Sequence, residues 1–289
     1  MRLADVVASL DAYFRVPEVR TDDWSGVFTQ VYGSDDYWRA YAEPAWLERW
    51  NGLAVRGAEE VERAVTCVFP SDRIVAGLEP GTLLFSEHPV DHADVDGFLP
   101  LARESFEVMR ERGISFYNVH APLDQHEDVA PSRLVAAAVG LEGAEDYYPI
   151  AAELPGGAAI VGDSGLTVEG LAEALRSYLG EEIKVHVLTR PRQEAGRVAI
   201  VAGGGADVDI LRESLERGCQ TYVTGNAATN CKLDFVQRGV AEFRALADEE
   251  GVALVDAMHY GLEKPPQLAM AAWFRRLGLP AEFVPDGPK

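Results

Sequence analysis

Short apolar runs alternate with stretches of helical spacing along most of this chain, which is the pattern of an α/β fold. Runs too short for helices, bounded by turn residues, predict strands at Val65–Phe69, Thr82–Phe85, Ile114–Val119, Ile183–Leu188, Arg197–Ala202, Thr221–Thr224 and Ala253–Ala257. Helical spacing predicts helices at Arg2–Asp11, Leu101–Arg112, Ser132–Val139, Val168–Leu179, Asp207–Arg217, Leu233–Glu249 and Gln267–Leu277. Thr167 is the expected N-cap of the fourth helix, with Leu171, Leu175 and Tyr178 on one face. Gly113, Gly140, Gly180, Gly218, Gly251 and Gly278 stand where helices should end in left-handed caps. Ala151–Gly165, rich in Gly, Pro and Ala, reads as a lobe boundary, with a further break at Ala202–Ala206. The aromatic and acidic start of the chain, with Trp24, Tyr32, Tyr37, Trp38, Tyr41 and Trp46, reads as a cap or subunit contact without catalytic pattern.

Composition narrows the function. At 289 residues the chain can bury a large core, as one domain or two lobes. Its 47 acids against 26 bases leave a net charge of −21, which repels phosphate backbones and argues against nucleic-acid binding. No apolar window is long enough for a membrane span, and no signal peptide is expected. The three cysteines, Cys67, Cys219 and Cys231, form no C-x-x-C pair, so neither a disulfide scaffold nor a zinc knuckle is expected. A reducing cytoplasm is the simplest expectation, with Cys67 plain core.

Three of the apolar runs end in a histidine with a carboxylate close by: Glu87-His88, His120 with Asp124, and His259 with Glu263. Ligand groups gather at the carboxyl ends of strands in open α/β sheets. Pro89 favours an extended backbone at His88, and Pro122 holds a turn after His120. Asp124, with two carboxylate oxygens, can bridge two cations. His259 and Glu263 have the spacing of one helical turn, although Gly261 and Pro265-Pro266 argue for a tight turn with a helix starting near Pro266. Glu87, His88, Asp124, His259 and Glu263 make a mixed N/O ligand set suited to zinc, manganese or iron, with His120 beside it. His92 and Asp94 are further possible ligands or part of a solvated acidic loop; His126 reads as surface and His186 as a strand residue. Gly203-Gly204-Gly205 is able to receive a phosphate but reads better as a tight strand-to-helix turn, since it lacks P-loop and G-x-G-x-x-G spacing.

These landmarks, with Val139-Gly140-Leu141 and Tyr222-Val223-Thr224-Gly225, resemble in order the NGG-interacting-factor-like dinuclear metal family, also labelled GTP cyclohydrolase I type 2-like. The resemblance implies two α/β lobes with mixed sheets flanked by helices and a metal site in the cleft between them. It puts lobe 1 at residues 1–130 plus 240–289 and lobe 2 at residues 131–239. Its metal ligands fall on Glu87, His88, Asp124, His259 and Glu263, and its non-ligand histidine on His120, the candidate general acid/base. Two divalent cations bridged by Asp124 and Glu263, and a homohexamer, are also implied. Glu87 stands where the family usually has the first His of a pair, which makes the site harder and more anionic. The expected function is therefore a metal-dependent hydrolase acting on a nucleotide, phosphoester or cyclic-amide small molecule. The alternative is a non-catalytic metal-binding or metal-handling interaction protein.

Overall fold

Thr82–Ser86 is buried at every position, so both faces of this strand are covered and no polar alternation marks it. The same holds for Thr221–Thr224 and Ala253–Asp256. Such strands belong to the middle of helix-covered parallel sheets, and the protein has two. The computed structural model describes residues 1–189, 193–228 and 231–286. Its strands are β1 Gly52–Val55, β2 Arg63–Cys67, β3 Thr82–Ser86, β4 Asp91–Ala93, β5 Gly97–Leu99, β6 Ser115–Asn118, β7 Glu142–Tyr147, β8 Ala159–Thr167, β9 His186–Val187, β10 Glu194–Val201, β11 Thr221–Thr224, β12 Ala253–Asp256 and β13 Ala281–Phe283.

The first sheet has the order β1-β6-β3-β2-β13, parallel except for β1 at its edge. The second has the order β7-β8-β10-β11-β12-β9, with β10, β11 and β12 parallel in its centre. β4 and β5 form a separate hairpin. Register decides what the loops can do. Cys67, Ser86 and Asn118 are level at the ends of β2, β3 and β6, and Val201, Thr224 and Asp256 are level at the ends of β10, β11 and β12. The segments that follow these ends leave each sheet together.

Side chains from both halves share one core. Val68 and Phe69, just past β2, pack in the same cluster as Val135, Leu171, Val198, Val255 and Leu262. The helix Val168–Leu179 is capped by Thr167 Oγ1, which accepts from Gly170 N at 3.0 Å. Its buried face is Val168, Leu171, Ala172, Leu175 and Leu179; Tyr178, expected there, is exposed. All six glycines expected to cap helices have positive φ.

Four expectations are corrected. β12 pairs with β11, and Phe243 and Ala247 of the preceding helix pack with the second sheet, so the chain stays with that sheet through Asp256 rather than leaving it at residue 240. Half of Ala151–Gly165 is the start of β8, whose Ala159–Gly162 stretch is fully buried between β7 and β10; a Cβ at Gly162 would meet Glu142 O of β7 at 3.0 Å. The aromatic N-terminal segment contributes core rather than only a cap: Trp24, Tyr32, Trp38 and Trp46 are buried with Val65, Leu84 and Phe116. The last long helix begins at His259, not near Pro266. Pro265 and Pro266 remove two backbone donors, but Gly261, Leu262, Glu263, Pro265 and Pro266 are all buried, and packing overrides the breaker.

Candidate metal centre

The level strand ends bring the three histidine-acid loops to one cavity of about 540 Å³. β3 ends at Ser86, and Glu87 and His88 follow, both buried. β6 ends at Asn118, and a one-turn helix Ala121–Asp124 sets Asp124 one turn beyond His120, with Asp124 N donating to His120 O at 3.0 Å. β12 ends at Asp256, whose side chain accepts from Met258 N at 3.0 Å. Met258 has φ +61°, an uncommon conformation for a side chain of this size, and the next residue opens the helix His259–Arg276.

Glu263 is the hub. Its Oε2 lies 2.9 Å from His88 Nε2 and its Oε1 lies 2.8 Å from His259 Nε2. His88, His259 and Glu263 form a possible metal-binding triad, with ligand atoms within 4.8 Å of one another. Glu87 and Asp124 make a second, adjoining acid pair whose charges act on each other, and Gln267 Nε2 donates to Glu87 Oε2 at 3.3 Å. His120 lies beside both groups, its Nε2 3.7 Å from Asp124 Oδ2 and its ring centroid 5.2 Å from that of His88. The expected six residues therefore gather in one site, while the close triad contains His88, His259 and Glu263 and not Glu87 or Asp124.

Burial and crowded charge set the protonation. Burial, then the charges of Glu263 and Asp124, push Glu87 well above the usual carboxyl range. Burial raises Asp124 to about 6. In Glu263 burial is outweighed by His259 and His88, which hold the carboxyl low. Burial lowers His88 to about 4, so it is a neutral imidazole, the form that binds metal. In His120 burial is outweighed by Asp22, and the ring is raised to about 9.

The glycine turn is explained by this centre. Gly203 has φ +70°, and a Cβ there would lie 2.2 Å from Glu263 Oε1. Gly225 is pressed against the backbone of Gly203 and His259. The Gly203–Gly205 segment is thus a tight turn making room for a carboxylate, the safer of its two sequence readings.

The residues present fit divalent cations. Two imidazoles and several carboxylates are a donor set for zinc, manganese or iron. Glu87 Oε1, His88 Nδ1 and His259 Nδ1 are buried without hydrogen-bond partners. Among the described residues lining the cavity there are five carboxylates and no lysine or arginine to balance them.

The sequence profile of the Duf34/NIF3 (NGG1p interacting factor 3) family matches residues 35–279, most of the chain. The chain belongs to this family. Two curated relatives, each named "GTP cyclohydrolase 1 type 2 homolog", are similar to this NIF3 protein. The one from Deinococcus radiodurans is 27% identical over 85% of this chain and 86% of its own length. The one from a Nostoc species is 24% identical over 76% of this chain and 80% of its own. In fold, the NIF3 chain resembles the crystal structure of TTHA1606 from Thermus thermophilus, with a TM-score of 0.66, 22% identity and coverage of 100% and 99% of the two chains. Among the described residues of this NIF3 protein no helix is long and apolar enough to cross a membrane.

Asp22 was missed in sequence. It is buried and accepts from Asn51 Nδ2 at 2.8 Å and Ala121 N at 3.0 Å, and its Oδ1 is 3.3 Å from His120 Nδ1. Asn51 in turn accepts from His120 N at 2.8 Å. Trp24 packs edge-on to His88 and His120. The signal available was an acid two residues before a tryptophan, too common to single out. His92 and Asp94 line the cavity from the β4-β5 hairpin, with the His92 ring stacked on Phe69. His126, expected at the surface, is half-buried, with Nε2 3.0 Å from Tyr13 O. His186 lies in β9 as expected.

Proposed function

We propose that this protein is a metal-dependent hydrolase of small molecules, with a dinuclear centre of zinc, manganese or iron held by His88, His259, Glu263, Glu87 and Asp124. The observation that carries the reading is the His88–Glu263–His259 triad in a cavity wall, with a buried acid pair and a charged histidine beside it. When bound, divalent cations would supply an acidified water as nucleophile. Glu263 spans both imidazoles and fixes their orientation. Glu87 and Asp124 add anionic oxygens on the neighbouring side. His120 holds a proton at Nε2, facing Asp124, while Asp22 fixes Nδ1; that arrangement suits a general acid for a departing nitrogen or oxygen. The name carried by the curated relatives adds GTP to the candidate substrates, beside simple phosphoesters and cyclic amides. A cytoplasmic homohexamer belongs to the same proposal.

The test is reconstitution with zinc, manganese or iron, elemental analysis, and a hydrolysis panel of phosphoesters, GTP and cyclic amides. Bound metal with turnover that His120→Gln removes is the expected result. Metal-loaded protein inert across the panel would instead make it a metal-handling protein. Absence of metal uptake would sink both readings. Light scattering of the purified chain tests the hexamer.

A further inference from the structure

The cavity above the centre carries a charge pattern that selects among those substrates, given that it is the substrate site of the proposed hydrolase. Its described lining includes Asp22, Asp23, Asp94, Asp124 and Glu263, no lysine or arginine, and one charged histidine, His120, which already faces Asp22 at 3.3 Å and Asp124 at 3.7 Å. Cations in neighbouring segments are engaged elsewhere: Lys232 with Asp96 at 3.0 Å, Lys264 with Glu182, and Arg244 with Ala227 O. The backbone elements that often hold phosphate are also taken. The helix Val208–Glu216 opens on Asp207, whose carboxylate accepts from Asp209 N and Ile210 N at 2.8 and 3.1 Å. The glycine turn before it lies against the Glu263 carboxylate. Divalent cations at the centre would be answered by the buried acids around them, leaving little positive field for a polyphosphate.

The rest of the cavity suits a flat ring. Trp24, Phe98, Tyr148 and Ile210 form apolar walls, and Phe235 stands more than half exposed among them. Gln30 and Asn226 supply side-chain amides that donate and accept hydrogen bonds. The volume of about 540 Å³ falls within the usual range for small-molecule pockets.

We infer that this cavity takes an uncharged flat ring, a nucleobase-like heterocycle or cyclic amide, and disfavours polyphosphates. Calorimetric titration of the metal-loaded full chain with guanosine, uracil, GTP and tripolyphosphate tests it. At least one neutral ring should bind roughly tenfold or more tightly than GTP, and tripolyphosphate should not displace it. Gln30→Lys, which adds a cation to the lining, should raise GTP affinity by roughly tenfold and narrow the gap. GTP binding to the wild type as tightly as the neutral rings, displacement by tripolyphosphate, or no binding of either neutral ring would each overturn the inference. The order of binding is read without turnover, so hydrolysis of a phosphoester would uphold the hydrolase while sinking this preference. Inert protein that binds neutral rings would do the reverse.

Discussion

Each sheet sends a histidine and an acid four residues later into the cavity, yet the two pairs are built differently. His259 and Glu263 sit in the first turns of a long helix and touch directly, at 2.8 Å. Their geometry is local, backed by the close approach of Gly203. His120 and Asp124 sit on a single helical turn and stay 3.7 Å apart. What orients His120 is borrowed from the N-terminal segment, through Asp22 and Asn51. The electrostatic outcome differs in the same way. His88, buried against Glu263, is lowered to about 4, whereas His120, buried against Asp22, is raised to about 9. One cavity thus holds a neutral imidazole fit for a metal and a charged one fit to carry a proton: His88 shares Glu263 with His259, whereas His120 faces both Asp22 and Asp124.

The largest test of this contrast is Glu263→Gln, which removes the hub of the metal side. Affinity for zinc or manganese should fall by on the order of 100-fold or more, read by competition with a chromophoric chelator. Unchanged affinity would mean that the triad is not the binding site.

Asp22→Asn addresses the other side. Bound metal should be retained while turnover falls roughly 10- to 100-fold, because His120 loses the partner that holds its ring. The same variant has a signature in stability. His120 is raised from 6.5 to about 9, so its proton stabilises the fold fully below pH 6.5, and that contribution is lost as the pH rises through about 9. In chelator-stripped wild type, denaturant unfolding should show a loss on the order of 2 kcal/mol across that window. Asp22→Asn should flatten the slope; an equal slope in both proteins would sink the assignment.

Gly203→Ala sharpens the metal side without replacing a ligand. The new methyl meets the Glu263 carboxylate at a positive φ, so a loss of about 2 kcal/mol with weakened metal uptake is expected. A melting temperature and metal content equal to wild type would show that the turn has room. Thr167→Ala, remote from both pairs, is the control. It should cost about 1 kcal/mol through the lost helix cap and leave metal content unchanged.

Much of the frame was legible along the chain. β11 and the helix Val168–Leu179 fall where their apolar spacing predicts, and β3 and β12 differ by one residue at an end. These strands are buried on both faces, and continuous apolar runs are the strongest local signal a parallel sheet leaves. The histidine-acid loops were legible because they follow those runs directly. β8 was obscured because the Gly, Pro and Ala residues that lead into it and its own Gly162 and Gly165 read as a linker, while the pairing with β7 and β10 that makes it a strand is not local. The start of the last helix was obscured because Pro265-Pro266 signals a break that burial overrides.

By itself the chain determined an α/β frame and the six residues at its loop ends, since apolar spacing and the residue after each strand are local properties. Only the tertiary structure decided which of those six form the close triad, that Asp22 makes His120 a charged partner, and that Gly203 yields its side-chain space to Glu263. Those facts depend on level strand ends in two sheets and on contacts such as Asp22 to His120, made across almost a hundred residues of chain. Spacing along one segment carries no record of such approaches, because the free energy that fixes them arises only when distant groups are buried together.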